Sequence, residues 1–433
     1  MVGRITRVGR FLDVLILISL LFVVGFLVFS SGRANIQTDS IDYYAILQRL
    51  TDNGDSPIVR NLHFLEQRSP GYSIASTVPY YFASVVIAPF VETEEIAGAP
   101  REQGFVPAGP KESESMQLPR ERLLVRDIFF KNFYIESEGS WFDWKVIFGL
   151  LFTSYLFLLV GIFFVVRTLS LQAKGVIGAS LIMLVLFTSD IFLHNILDTP
   201  AYATLAAFGA SSIFCYFFVK GFLEKNPRGE FLSGVSLGLL TLIRFEAVVL
   251  LLASLLFLGL DKNRRFLTNL VKGFSLAVPV LLVYNLVQFG SPFHLGMLKG
   301  DINKIALDFG YIFANLFNPS SGIVFWSPLI SIGIAGLFFS TEKYSRALGV
   351  CSVALIGLYL FRVPIMYSCS GDGSTVVGGL VLRCAENTAE ALTLVRYDMN
   401  RYVTLLAPFS VLGLRNLILL VGRRLRPILT PSP

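Results

Sequence analysis

The sequence predicts an all-α polytopic membrane protein of about ten transmembrane helices, with interfacial helices in a long first extracytoplasmic loop. Three observations predict it. The 433 residues are 54% hydrophobic and only 15% charged, where soluble domains carry about 25% charged residues. Mean hydropathy is +0.66. The formal charge of +6 is concentrated in short segments between apolar runs, a placement that membrane topology explains and a nucleic-acid-binding patch does not. A soluble enzyme, a disordered chain and a basic nucleic-acid binder are therefore excluded.

An apolar slab about 30 Å thick needs roughly 20 apolar residues to cross. Such runs lie at 11–30, 145–166, 175–193, 199–219, 271–289, 322–340, 347–364 and 402–421. The run 231–260 is different: 30 mostly apolar residues would make roughly 45 Å of helix, too long for one upright span. Arg244 and Glu246 fall near its middle, and a charge at mid-membrane costs about 2.5–3.5 kcal/mol. Two short helices with an Arg-Phe-Glu apex near one surface relieve that cost. The first run lacks a small-residue cleavage site and is expected to stay as an uncleaved span.

Sidedness follows from Lys and Arg. Arg4, Arg7 and Arg10 precede the first span, and alternate connections are basic: Arg167 and Lys174; Lys220, Lys225 and Arg228; Lys262, Arg264, Arg265 and Lys272; Lys343 and Arg346; Arg423, Arg424 and Arg426. This predicts a multi-pass protein of the cell (plasma or inner) membrane with both termini cytoplasmic. Residues 73–91 are apolar enough to cross, but crossing would turn every later basic loop outward. Pro79 and Pro89 are also expected to interrupt the helix, so this piece reads as interfacial or re-entrant.

The chain reads as a single membrane domain over 1–433. The first transmembrane helix, 11–30, leads into an extracytoplasmic loop at 31–144, and a bundle follows over 145–422. Residues 92–122 are polar, acidic and rich in Pro and Gly, the composition of a mobile insertion. Two more outer segments lie at 290–321 and 365–401, so the chemistry is expected on the outer face. Cys215 and Cys351 fall in apolar runs, whereas Cys369 and Cys384 share one outer loop, where an oxidising compartment permits a disulfide. Three histidines, no two of them at ligand spacing, argue against a zinc site.

Three groups could carry chemistry. Asp39 and Asp42, in the run Asp39-Ser40-Ile41-Asp42-Tyr43-Tyr44, share a face if a helix begins there. Asp39 or Ser40 as a helix cap is the structural alternative, and a general base at the membrane surface the functional one. Asp198-Thr199-Pro200 likewise reads as a helix start or as an outer-face carboxylate, with His194 and Asp190 about one and two turns earlier in the chain. Arg244 with Glu246 is either a structural ion pair or a phosphate grip, since a guanidinium can hold a phosphate through two parallel bonds. Lys299, Arg396 and Arg401 are further outer-side cations, for which plain surface placement is the alternative.

Together these residues resemble the integral-membrane glycosyltransferases of the GT-C superfamily, in the branch of prokaryotic mannosyltransferases and aminoarabinose-transferase-like proteins. The resemblance covers most of the chain. It rests on Asp39 and Tyr43 after a basic-flanked span, Pro70-Gly71-Tyr72, and Asp198-Thr199-Pro200. It continues through GVSLGLLTLIRFE ending at Arg244 and Glu246, Tyr284-Asn285 with Phe289-Gly290-Ser291-Pro292, Ser321-Gly322 leading to Ser327-Pro328, and Arg401-Tyr402 with Pro408. The family's first-loop motif often pairs two acids more closely; here Ser40 follows Asp39 and the next acid is Asp42, which leaves open which Asp acts.

The resemblance implies a sugar carried by a polyprenyl phosphate and transferred to a glycan, lipid or protein acceptor. It implies Asp39, Asp42 and Asp198 as catalytic residues. Tyr43, Tyr44, Tyr72, Arg244, Glu246, His194, Lys299 and Arg401 are the implied substrate-binding residues. No cofactor is demanded, although a divalent metal beside the outer acids is compatible with the sequence. The competing readings are a flippase or transporter for a lipid-linked glycan, and a non-catalytic partner in envelope polysaccharide assembly.

Overall fold

The computed structural model describes residues 39–52, 69–93, 122–125, 133–134, 144–171, 203–294, 312, 316–317, 322–360, 374–377, 380–383 and 404–429. Four helices among them are long and apolar enough to cross a membrane: Lys145–Ser170, Ala203–Glu224, Arg264–Phe289 and Thr404–Val421. The expected spans at 11–30 and 175–193 lie outside the described residues.

Helix α1 (Asp39–Asp52) carries the first acids in its opening turn. After it comes α2 (Gly71–Phe82), which continues as a π turn over Ala83–Ile87 and a 3-10 turn over Ala88–Phe90. Pro79 lies inside α2 and does not end it, contrary to expectation. Proline costs an interior helix one donor, and here the helix adjusts downstream, where Ala83 N–H reaches the carbonyls of both Pro79 and Tyr80. Long helices follow: α3 (Trp144–Ser170), α4 (Ala203–Glu224) and α5 (Pro227–Ile243).

The expected break is present. α5 stops at Ile243, Arg244 is extended (φ −140°, ψ 102°), a 3-10 turn covers Phe245–Ala247, and α6 (Val248–Leu260) runs back. The return is fixed by Arg265, five residues past α6, which pairs with Glu230 at the start of α5.

The span expected at 271–289 begins earlier and is kinked. α7 (Arg264–Phe274) gives way to α8 (Ala277–Phe289) just before Pro279, which cannot donate to Ser275; Val278 N–H bonds that carbonyl instead, in a tighter turn. The span expected at 322–340 is also divided. One turn, α9 (Ile323–Trp326), ends at Ser327, and α10 starts afresh at Pro328 and runs to Phe338. A residue before proline is pushed out of the helical region, and proline suits a first helical position. α11 (Lys343–Leu360) and α12 (Ala407–Leu429, entered by a 3-10 turn at Thr404–Leu406) complete the bundle.

The helical class holds. Among the described residues five short strands lie outside the helices: β1 (Val91–Thr93), β2 (Arg122–Val125) and β3 (Phe133–Tyr134) in one antiparallel sheet, and β4 (Ser374–Val377) with β5 (Leu380–Arg383) in a hairpin. Both ends of the expected insertion at 92–122 are therefore strand residues, Glu92 pairing with Leu124 and Arg122 with Tyr134. Val91 and Thr93 are β-branched and Leu123, Leu124 and Val125 apolar, the composition that suits a strand. Between Val377 and Leu380, which pair, the sequence has Gly378-Gly379, a favoured two-residue hairpin connection. Cys369 and Cys384 lie outside the described residues.

Contact pairs give the helices their directions. α3 and α4 are parallel, since Gly209 abuts Phe157 while the rings of Phe164 and Phe217 meet. α12 is parallel to both α4 and α10: Ser211 donates to Leu405 O, Phe214 meets Phe409, and Ser410 donates to Leu329 O. α11 is antiparallel to α6, with Lys343 paired to Asp261 and Cys351 against Ser254. The start of α4, the apex at 244, the starts of α10 and α12 and the finish of α11 therefore share one end of the bundle. Arg167, Lys220, Lys225, Lys262, Arg265, Lys343 and Arg346 share the other.

Helices close through small residues, as expected where water supplies no driving force between them. A methyl group added at Gly413 would overlap the carbonyl of Gly333, and one at Gly234 would overlap that of Leu270. Gly413→Leu should therefore lose about 1–3 kcal/mol or more to overpacking. Gly357→Ala, which meets nothing within 4 Å, should be neutral or slightly stabilising. Thermal unfolding of the two purified variants in detergent checks the contrast.

Candidate active site

The break at Arg244 brings together segments far apart in sequence. Ending one helix and starting the next leaves carbonyls of the first and N–H groups of the second without partners inside their own helix. Arg244 N–H bonds Leu240 O at 2.7 Å, and Ala247 N–H bonds Arg244 O at 3.0 Å. Phe245 N–H donates to Ser69 Oγ at 2.9 Å, so a side chain 176 residues away caps the turn. Ser69 stands just before α2, whose first residue, Gly71, lies against the backbone of Leu242 and Ile243; a Cβ there would come within 2.6–2.8 Å of three backbone atoms. Only glycine allows α2 to seat so closely on the end of α5.

Arg244 is 7% exposed. Its guanidinium donates from Nη2 to Thr204 Oγ1 at 3.4 Å, and Nη1 stands 4.0 Å from Glu246 Oε1. Thr204 is buried near the start of the described part of α4.

α2 also holds α1. Ser73 Oγ donates to Tyr43 O at 2.9 Å, and the rings of Tyr43 and Tyr72 meet edge to face at 5.1 Å. Ala45 and Ile46 of α1 form a second apolar cluster with Tyr284, supported by Ile74, Phe245, Leu281 and Phe289. The acid-bearing helix, the start of α2, the apex and the end of α8 thus pack as one unit. At that end Asn285 Nδ2 donates to the carbonyls of Pro292 and His294, and Gly290 (φ +70°) closes α8.

The structure places the expected site residues as follows. Asp39 and Asp42 are one turn apart at the start of α1, and Tyr43 follows directly. Arg244 and Glu246 sit at the break. Asp198, His194, Lys299 and Arg401 lie outside the described residues. Tyr43, Tyr44 and Tyr72 are buried within the packing. Tyr72 OH donates to Leu150 O at 2.7 Å and shares a 2.7 Å hydrogen bond with Ser154 Oγ; burial pushes its ionisation far above the usual tyrosine range. It fastens α2 to α3.

Three residues here carry no sequence signal: Ser69, Ser73 and Thr204. Among the described residues no three His, Cys, Asp or Glu converge as a metal site.

No family model and no curated protein sequence matches the chain. Its fold is similar to the crystal structure of ArnT from Cupriavidus metallidurans bound to undecaprenyl phosphate, with a TM-score of 0.53 at 12% identity, over 97% of this chain and 66% of that one. The chain thus spans just under two thirds of that neighbour's length. The helical fold expected from the GT-C resemblance is supported, and the particular branch is not.

Tyr72→Phe should keep the ring packing but remove the hydroxyl's two hydrogen bonds, to Leu150 O and Ser154 Oγ, destabilising the protein by about 1–3 kcal/mol. A lowered thermal midpoint in detergent, with an unchanged helical circular-dichroism signal, checks it.

Proposed function

We propose that this protein is a membrane-embedded glycosyltransferase that moves a sugar from a polyprenyl-phosphate donor to an acceptor hydroxyl or amine on the extracytoplasmic face. The observation that carries the reading is the Arg244 guanidinium, buried at a helix break where α1, α2 and the end of α8 converge. The neighbouring fold is that of a protein bound to undecaprenyl phosphate, which supports a lipid phosphate as ligand. A polyprenyl tail belongs in hydrocarbon and its phosphate at the interface, and a guanidinium at the end of a helical bundle suits both. The gathering of basic loops at the opposite end supports a cytoplasmic location for that end.

In this reading Asp39, with Asp42 as its substitute, accepts the proton of the attacking hydroxyl. The acceptor oxygen bonds to the anomeric carbon from the face opposite the phosphate. The anomeric C–O bond breaks and its electron pair stays on the phosphate oxygen, so the anomeric configuration inverts. Polyprenyl phosphate leaves as an anion, which needs cationic stabilisation more than a proton. Arg244 supplies it, with Glu246 and Thr204 orienting the guanidinium. Asp198 positions sugar or acceptor hydroxyls beside His194, and Lys299 and Arg401 add positive charge.

Purified protein incubated with radiolabelled polyprenyl-phosphate sugars should transfer or hydrolyse the sugar; movement of lipid across the bilayer without chemistry would instead mark a flippase. Asp39→Asn should lower transfer about 10²–10⁴-fold while the folded protein stays in the membrane; full activity would remove Asp39 as the base. Arg244→Ala should weaken undecaprenyl-phosphate binding about 10–100-fold, because charge-assisted hydrogen bonds contribute about 1.5–3 kcal/mol.

A further inference from the structure

We infer that α2 is the spacer that sets the separation between the acid-bearing first turn of α1 and Arg244, with Ser69 and Ser73 as its two positioning residues. The inference rests on the proposed phosphate role of Arg244 and deepens it. Ser69 and Ser73 are four residues apart and reach in two directions. Ser69 Oγ accepts the Phe245 N–H next to Arg244, and Ser73 Oγ donates to the carbonyl of Tyr43, one residue after Asp42. Between them Gly71 presses on Leu242 and Ile243, and Tyr72 anchors the same turn to α3 through Leu150 O and Ser154. Ser69 is 8% exposed and Ser73 fully buried, so neither is placed to touch solvent or substrate directly. A reaction needing a base on one side of a phosphosugar and a cation on the other depends on their spacing to within about 1 Å. One short helix pinned at both contacts supplies such a constraint.

The two pins therefore have separable effects. Loss of the Ser69 acceptor frees the Phe245 N–H and loosens Arg244; loss of the Ser73 donor frees α1 and leaves the apex seated. The test measures binding of undecaprenyl phosphate to the full-length protein in nanodiscs, alongside thermal midpoints. Ser69→Ala should weaken binding about 5- to 10-fold, Ser69→Thr should restore it, and Ser73→Ala should leave it within about twofold of wild type. With the donor sugar that turns over in the transfer assay, Ser73→Ala should lower kcat about 10-fold at unchanged donor KM. Should Ser69→Ala fail to fold, Ser69→Cys, a weaker acceptor in the same place, should give an intermediate loss of affinity. Equal loss of affinity in Ser69→Ala and Ser73→Ala, tracking the thermal midpoint, would reduce both serines to packing and overturn the inference. So would unchanged affinity in the Ser69 variants while Arg244→Ala still weakens binding. Unchanged affinity in Arg244→Ala would instead overturn the phosphate reading itself.

Discussion

A helix that ends inside an apolar bundle must find new partners for its backbone, and the rest of this structure depends on how the end of α5 does so. Arg244 and Ala247 are buried at the turn, and a buried backbone group left unsatisfied costs about 1–3 kcal/mol. The chain answers locally with Leu240 and Arg244 carbonyls, and at long range with Ser69. The long-range bond has the larger consequence. It makes docking of the segment before α2 a condition for closing the turn, and so brings α2, with α1 packed on it, to the end of the bundle that holds the buried arginine. The glycine at 71 belongs to the same solution, because a side chain there would hold α2 away from the carbonyl it covers.

The opposite end of α5, about 25 Å away at 1.5 Å per residue, solves a similar problem with charge. Glu230 is 1% exposed, and its two carboxylate oxygens accept from Arg265 and from Asn269, with Arg265 also reaching Lys225 O. A buried carboxylate is tolerable only when paired and hydrogen-bonded. Two polar clusters thus fasten one helix at its two ends, and the glycine contacts between Gly234 and Gly273 bring α7 close enough to build the second. Between the fasteners Leu237 and Leu240 are buried with Ser233, Ser236 and Thr241, whose hydroxyls bond carbonyls of their own helix, and the outward faces of α6 and α8 are Leu- and Val-rich, as lipid contact requires.

The parts legible in the sequence were those governed by length and cost. A 30-residue apolar run with Arg244 and Glu246 near its centre could not be one upright helix, and the break stands at that arginine. The parts not legible depend on partners distant in the chain. Nothing in the sequence marks Ser69, whose oxygen serves Phe245. Tyr72 is singled out only by the Pro-Gly-Tyr resemblance, which does not show that its hydroxyl closes on Leu150 and Ser154. Proline misled in both directions: Pro79 was read as a break and is absorbed by a π turn, while Pro328 and Pro279 divide runs that read as continuous. A proline states only that one donor is missing; its surroundings decide whether the helix bends, resets or carries on.

The composition of α2 shows how these constraints converge. Its buried face carries Gly71, Ser73 and Ser76 beside Tyr72 and Tyr80, while Val78, Tyr81, Phe82, Val85 and Val86 are exposed on the segment it opens. That is the reverse of a helix on a soluble protein, where apolar side chains turn inward. The inversion follows from the solvent. Facing lipid, the outer surface gains nothing from polarity, whereas the inner surface needs hydroxyls to bond backbone groups that water does not reach. Ser69 and Ser73 bond neighbouring segments, and Ser76 returns its hydroxyl to Tyr72 O. A hydroxyl directed at a neighbour is a joint, and one directed at its own helix is only satisfied. The two serines that act as joints are those facing the acid-bearing helix and the arginine, which is why this amphipathic segment is better understood as a structural bridge than as a membrane anchor.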